Sequence, residues 1–157
     1  MSDREIRVGV ISDTHGLLRP QGLDALRGSE LIIHAGDVGR REVLDALRVM
    51  APTFVVRGNV DTQAWAAALP ATEAVEVGRL RLWVLHDISE LALDPVAARI
   101  AAVIYGHSHK PSIETRDGVL YLNPGSAGPR RFNLPVTVAR LSVSGQVIHP
   151  EIVELAV

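Results

Sequence analysis

The chain contains no cysteine. Disulfides, zinc–thiolate sites and a cysteine nucleophile are therefore excluded, and the composition suits a reducing compartment. Long apolar runs are missing as well. The longest, about Ile100 to Tyr105, falls far short of the roughly 20 residues that span a bilayer. Nor is there an excess of charge of one sign. With 16 Lys and Arg against 18 Asp and Glu, the formal net charge is −2. A general nucleic-acid or anionic-membrane binder would need a basic face, so both classes are disfavoured. The N-terminal Met1-Ser2-Asp3-Arg4-Glu5 is charged rather than apolar, unlike a secretory signal. A cytoplasmic protein with no membrane partner is the expectation.

What is present describes an ordinary globular domain. A chain of 157 residues, 47% hydrophobic and 22% charged, fits one domain over residues 1–157, large enough to bury a core without staples. Arg7–Ser12, Glu30–Ala35 and Thr53–Arg57 are β-branched runs that predict buried strands. Gln21–Arg27 and Arg40–Val49 carry apolar residues at helical spacing, with Val43, Leu44 and Leu47 on one face. Asp61–Leu69 opens on a capping-type residue and stops at Pro70, which predicts a third helix. Strand–helix alternation of this kind predicts parallel strands with right-handed crossovers.

The remainder predicts more strands. Glu73–Leu85 reads as two, turning near Gly78, with Leu80, Leu82 and Val84 facing one way. A helix over Pro95–Ile100 and a strand over Ala101–Tyr105 follow. Asp117-Gly118 within Ser112–Leu122 signals a two-residue hairpin. Val136–Leu141 and Gln146–Val153 form a closing antiparallel pair. The expected fold is α/β, two packed sheets with helices on the outer faces. Trp65 and Trp83 read as packing residues.

The chemistry lies at the strand ends. Asp13 and His15 follow the first strand, Asp37 the second, and Asn59 and Asp61 the third. His86 ends the strand Leu80–Leu85, and His107 and His109 follow Tyr105. In open α/β sheets, sites form outside the carboxyl ends of strands. Gly36, Gly58 and Gly106 directly precede ligand candidates, where positive φ or close backbone approach is needed. Imidazole plus carboxylate without sulfur suits Mn, Fe, Ni, Zn or Co.

Singly, these residues have ordinary structural readings. Asp13 and Asp37 could cap helices, Asn59 and Asp61 could open a turn, and His86 could be a core histidine. The pair His107 and His109, flanked by turn residues, is harder to assign to packing. His34, on a buried strand, reads as packing or orienting Asp37, and His149 as a surface residue. In Pro129-Arg130-Arg131 one arginine could reach a phosphate, or both could be solvated.

Together, Asp13-x-His15, Gly36-Asp37, Gly58-Asn59-x-Asp61, His86 and Gly106-His107-x-His109 resemble the signature of the calcineurin-like metallophosphoesterases. The compact length and the trailing Asn123-Pro124-Gly125-Ser126 resemble its small bacterial and archaeal phosphodiesterase branch. The resemblance implies a two-sheet αββα sandwich and two divalent ions, with manganese the first choice and Ni, Fe, Zn or Co as alternatives. It implies that Asp13, His15 and His109 hold one ion, that Asp37 bridges, and that Asn59, His86 and His107 complete the second. It further implies in-line attack on phosphorus by a hydroxide held between the metals, with Asp37, Asn59 and His107 closest to the chemistry and no protein nucleophile. Asp61 would then be an outer partner or a helix cap.

Two positions depart from the family pattern. Many larger members carry a proton-donating histidine directly after Gly-Asn, where this chain has Val60; the small branch also tends to lack it. The residue after His86 is usually glycine and here is Asp87, which could add a ligand, repel an anionic substrate or face solvent. The expected partner is a small phosphate ester, with diester hydrolysis ahead of monoester hydrolysis, and a homodimer is a further expectation. A competing implication comes from the retromer scaffold subunit, which the same fold resembles and which assembles proteins rather than catalysing.

Overall fold

The computed structural model describes residues 4–157; Met1–Asp3, the start of the charged N-terminal stretch, lie outside the described residues. Among the described residues ten strands form two sheets. They are β1 (Ile6–Ile11), β2 (Leu31–His34), β3 (Thr53–Val55), β4 (Thr72–Val77), β5 (Leu80–Leu85), β6 (Ala102–Ile104), β7 (Ser112–Arg116), β8 (Val119–Asn123), β9 (Thr137–Ser144) and β10 (Val147–Glu154). One sheet runs β10-β9-β1-β2-β3 and the other β4-β5-β6-β8-β7. Two α-helices, α1 (Pro20–Leu26) and α2 (Arg41–Met50), connect β1, β2 and β3.

Period-two alternation decides which face each strand buries. Val8 and Val10 of β1 meet Leu82, Val84, Ile104 and Leu122 of the opposite sheet in the central core. Ile11 and Ile32 point the other way, under Leu26 of α1 and Leu44 and Leu47 of α2. At roughly 25 cal/mol per Å² of apolar surface, each such buried Leu or Ile contributes about 2 kcal/mol before entropy is counted. The two-sheet α/β sandwich is thus the one expected. Trp65 packs against the helix layer and Trp83 against the far face.

Two expected helices are replaced by shorter structure. Over Asp61–Leu69 only Ala64–Ala66 is helical, as a 3₁₀ turn. Asp61 does not cap it, because its carboxylate accepts backbone N–H groups of Gly58, Val38 and Gly39 instead. Over Pro95–Ile100 the chain makes a single turn, in which Ile100 N–H bonds Pro95 O and Arg99 takes a left-handed φ of 58° that stops propagation. The outer face of the second sheet is therefore covered by an irregular segment, with Ile88, Leu91, Leu93 and Ile100 packed on Val103 and Tyr121.

The topology brings the candidate residues together. β1, β2 and β3 are mutually parallel, and so are β5, β6 and β8. Their carboxyl ends converge on one rim, where the loops after β1, β2, β3, β5 and β6 meet. The Asp117-Gly118 hairpin has φ of 51° and 78°, the two positive values of a type I′ turn. Among the described residues no helix is long and apolar enough to cross a membrane.

Candidate metal centre

Two clusters of ligand-type atoms occupy the rim. One comprises Asp13, His15 and His109, the other Asp13, Asp37 and His86. His109 Nε2 lies 3.4 Å from Asp13 Oδ1 and 3.3 Å from His15 Nε2. His86 Nε2 lies 3.1 Å from Asp37 Oδ2, and His15 Nε2 lies 3.6 Å from the same oxygen. Asp13, Asp37, His86 and His109 are buried.

Each side chain is oriented by a specific partner. Asp13 Oδ2 accepts from Ser12 Oγ at 2.7 Å and from the His107 N–H at 3.1 Å, which leaves Oδ1 turned to the cluster. Asp37 Oδ1 accepts the Val60 N–H at 3.0 Å and leaves Oδ2 inward. His86 Nδ1 lies 2.8 Å from Ala35 O, so it carries the proton and Nε2 is left with its lone pair. Burial opposes protonation of His86, yet the carboxylates of Asp37 and Asp13 outweigh it and raise its pKa. Burial likewise opposes ionisation of Asp37, but His86 and the Val60 N–H hold its carboxyl down at about 2. His109 is shifted below the usual histidine range by burial, with Arg131 and His15 adding to the effect against Asp13.

The donor set fits divalent cations. Asp13 Oδ1, His86 Nε2 and His109 Nδ1 are buried without a hydrogen-bond partner. Buried polar atoms are ordinarily paired, and two of these three face a group of imidazoles and carboxylates. A cation held by these residues would satisfy such atoms. Oxygen and nitrogen donors without sulfur suit Mn, Fe, Co, Ni or Zn.

Five ligand candidates stand on left-handed backbone. Asp13, His15, Asp37, His107 and His109 have φ of 55°, 47°, 58°, 73° and 64°. Such values are uncommon for residues with a Cβ and cluster at functional sites. The neighbouring glycines answer to close approach. A Cβ on Gly106 would overlap Ser12 Oγ and lie 2.7 Å from Asp13 Oδ2, and one on Gly58 would overlap Asp37.

Two candidates lie at the exposed edge of the rim. Asn59 is exposed, and His107 is 47% exposed with Nε2 turned toward Asp87 Oδ2, 3.7 Å away. Asp61 keeps both oxygens occupied by the N–H groups of Gly39, Val38 and Gly58 and serves as a brace between two loops. His34 is also a brace. Its Nδ1 accepts the Gly36 N–H at 3.1 Å, so Nε2 bears the proton and donates to Thr14 Oγ1 at 3.0 Å; Thr14 in turn donates to Val38 O. Burial pushes His34 down to about 4. The Asn123-Pro124-Gly125-Ser126 loop has a supporting role that its sequence did not declare: Asn123 holds Gly106 O and Ser108 Oγ, and Ser126 holds Asp13 O. Arg130 bonds Leu134 O and Val157 O, leaving Arg131 as the arginine whose charge is felt at His109. His149 is exposed.

Fold and centre together define a metal-dependent phosphoesterase class, and the comparisons agree. Residues 6–146 match the calcineurin-like phosphoesterase superfamily domain. A probable metallophosphoesterase of Methanothermobacter thermautotrophicus is 32% identical over 93% of this chain and 91% of its own. The chain belongs to the calcineurin-like phosphoesterase superfamily. Among solved structures, an archaeal phosphodiesterase superposes with a TM-score of 0.79 at 23% identity, covering 94% of this chain and all of the other. Vps29 of Entamoeba histolytica, solved with Zn²⁺, superposes with a TM-score of 0.71 at 25% identity over 95% of this chain and 99% of its own.

Proposed function

We propose that this chain is a cytoplasmic phosphodiesterase that depends on two divalent ions, manganese foremost, and acts on a small phosphate diester. The observation that carries the reading is Asp13 Oδ1, buried without a hydrogen-bond partner and 3.7, 3.8 and 3.4 Å from the Nε2 atoms of His15, His86 and His109. Asp13, His15 and His109 would hold one ion, and Asp37, Asn59, His86 and His107 a second, with Asp37 between them. Ions bound there would supply a water activated between them as nucleophile and neutralise charge developing on phosphorus.

The chain's own residues do the rest. Ser12, Val60 N–H and Ala35 O fix the directions of Asp13, Asp37 and His86 before any ligand arrives. Val60 has no proton to offer, which suits esters whose leaving group departs unaided; general acid help is worth about 10²–10⁴-fold where it exists. Diesters are favoured over monoesters on charge. A monoester dianion calls for more cationic groups than a diester monoanion does; Arg130 is bonded to Leu134 O and Val157 O, which leaves the ions and Arg131 to meet that charge.

A scaffold reading has support from the likeness to Vps29, and metal binding does not separate the two, since that protein was solved with Zn²⁺. Turnover does. Metal-stripped protein reloaded with Mn²⁺ is expected to cleave bis-p-nitrophenyl phosphate, to cleave the monoester more slowly, and to lose both activities in Asp37→Asn. Cleavage of the monoester alone would overturn the diesterase assignment, and no cleavage with both ions bound would favour the scaffold.

A further inference from the structure

Three aspartates around the rim share one arrangement, and only two of them belong to the clusters. Asp13 has Oδ2 held by Ser12 and the His107 N–H and presents Oδ1. Asp37 has Oδ1 held by the Val60 N–H and presents Oδ2. Asp87 repeats the pattern: Oδ1 accepts the Ser89 N–H at 3.0 Å and the Ser89 hydroxyl at 2.8 Å, while Oδ2 stands 3.7 Å from His107 Nε2. Asp61 is the contrast, with both oxygens consumed by backbone N–H groups and none to present.

The separation is informative. At 3.7 Å, Asp87 Oδ2 and His107 Nε2 are too far apart for a hydrogen bond. Two donors bound to one ion at roughly 2.1 Å in a tetrahedral arrangement stand about 3.4 Å apart. Within the two clusters the corresponding separations include 3.3 Å for His15–His109 and 3.8 Å for His86–Asp13. Asp87 and His107 therefore have the spacing of co-ligands. They also adjoin the cluster: His107 meets the His86 ring edge-on at 5.2 Å between centroids. The side chains of His107 and Asp87 are 47% and 28% exposed, which puts the pair on the open side of the centre.

The geometry points to Asp87 as a metal ligand through Oδ2, sharing an ion with His107. The inference rests on the reading of the rim as a centre for two divalent ions. It gives this chain one more carboxylate than the seven residues named from the sequence, and favours ions that accept oxygen-rich coordination, such as Mn²⁺. Ser89 acts through Asp87 as a positioning residue, because it fixes which oxygen is left free.

The test is a titration of the metal-stripped full chain with Mn²⁺ alone, reading free Mn²⁺ by its paramagnetic resonance signal. Two ions per chain are expected. Asp87→Asn keeps an acceptor for Ser89 and removes the charge; it should weaken one binding step about tenfold or more and leave the other unchanged. Ser89→Ala should weaken the same step by a smaller factor, with thermal melts of both variants confirming the fold. Both steps within twofold of the parent in Asp87→Asn would overturn the inference while leaving the two-ion reading intact. A parent that takes up one ion would overturn the two-ion reading and the inference together, and diester hydrolysis then decides independently whether the protein is a phosphodiesterase.

Discussion

Ser12 Oγ donates to Asp13 Oδ2 at 2.7 Å, and Asp13 Oδ1 is left buried without a partner. One hydrogen bond thus decides which oxygen of a central carboxylate is available. Ser12→Ala removes it and leaves only the His107 N–H on Oδ2. Mn²⁺ affinity is expected to fall about tenfold, and stability by about 1.5–3 kcal/mol, as for a hydrogen bond to a charged group. Metal titration beside urea unfolding checks both; an unchanged affinity would show that Asp13 is oriented by its backbone alone.

Asp61 should matter to folding more than to metal binding. Its carboxylate takes three backbone N–H groups, from Gly58, Val38 and Gly39, at 2.9–3.1 Å. Asp61→Asn removes the charge and turns an NH₂ group toward at least one of those donors. A loss of about 3 kcal/mol or more is expected in urea unfolding of the metal-free protein. A loss below about 1 kcal/mol would mean that water replaces the carboxylate without difficulty.

His34 makes the metal-free fold sensitive to acid. Its Nδ1 already accepts the Gly36 N–H, so protonation would set two N–H groups against each other. With the folded pKa pushed by burial from 6.5 to about 4, the unfolded chain binds the proton first. Stability from this residue is complete above about pH 6.5, is lost as pH falls toward 4, and amounts to about 3 kcal/mol across that window. His34→Asn, which does not titrate, should flatten that part of the stability–pH curve relative to the parent. Parallel curves would place the acid sensitivity elsewhere.

Metal loading should stabilise the fold. Asp13 and Asp37 are buried beside one another, and a cation relieves both their repulsion and the unpaired atoms. Free Mn²⁺ at a hundred times its Kd stabilises by about 2.7 kcal/mol per site, which raises Tm by roughly 5–10 °C in a domain of this size. A chelator should reverse the shift. A melting temperature that ignores both additions would argue against any ion at this rim.

The sequence already shows which strands are buried, because β-branched runs such as Arg7–Ser12 and Glu30–Ala35 have no other good use. It also shows which strand ends carry donors. It does not show where a side chain turns: Asp61 looks like a cap and is a brace, and the helix expected from it shrinks to Ala64–Ala66. His107 reads as an equal of His109, yet it faces Asp87 at the rim while His109 is buried. Both differences arise from contacts between loops distant in the chain, which no local pattern encodes. The hydrogen bonds that Ser12, Asn123 and Ser126 lend to the centre are illegible in the sequence for the same reason, although a hydroxyl or amide beside a ligand-bearing loop is their signal.

The left-handed backbone at Asp13, His15, Asp37, His107 and His109 has a consequence for how this protein can change. A side chain in that conformation costs about 1–2 kcal/mol relative to right-handed geometry, somewhat less for Asp and His, and glycine escapes the cost. His15 shows it most simply, since the polar partners of its ring are other candidate ligands, His109, Asp13 and Asp37. Replacing it with glycine would leave the empty fold as stable as before, or firmer by up to about 1 kcal/mol once unfolded-state entropy is counted. Drift toward a tougher but inert scaffold therefore runs downhill at His15, whereas Asp13 and Asp37 also hold hydrogen bonds that glycine would lose. A chain that keeps histidine at that position is held there by something other than its own stability.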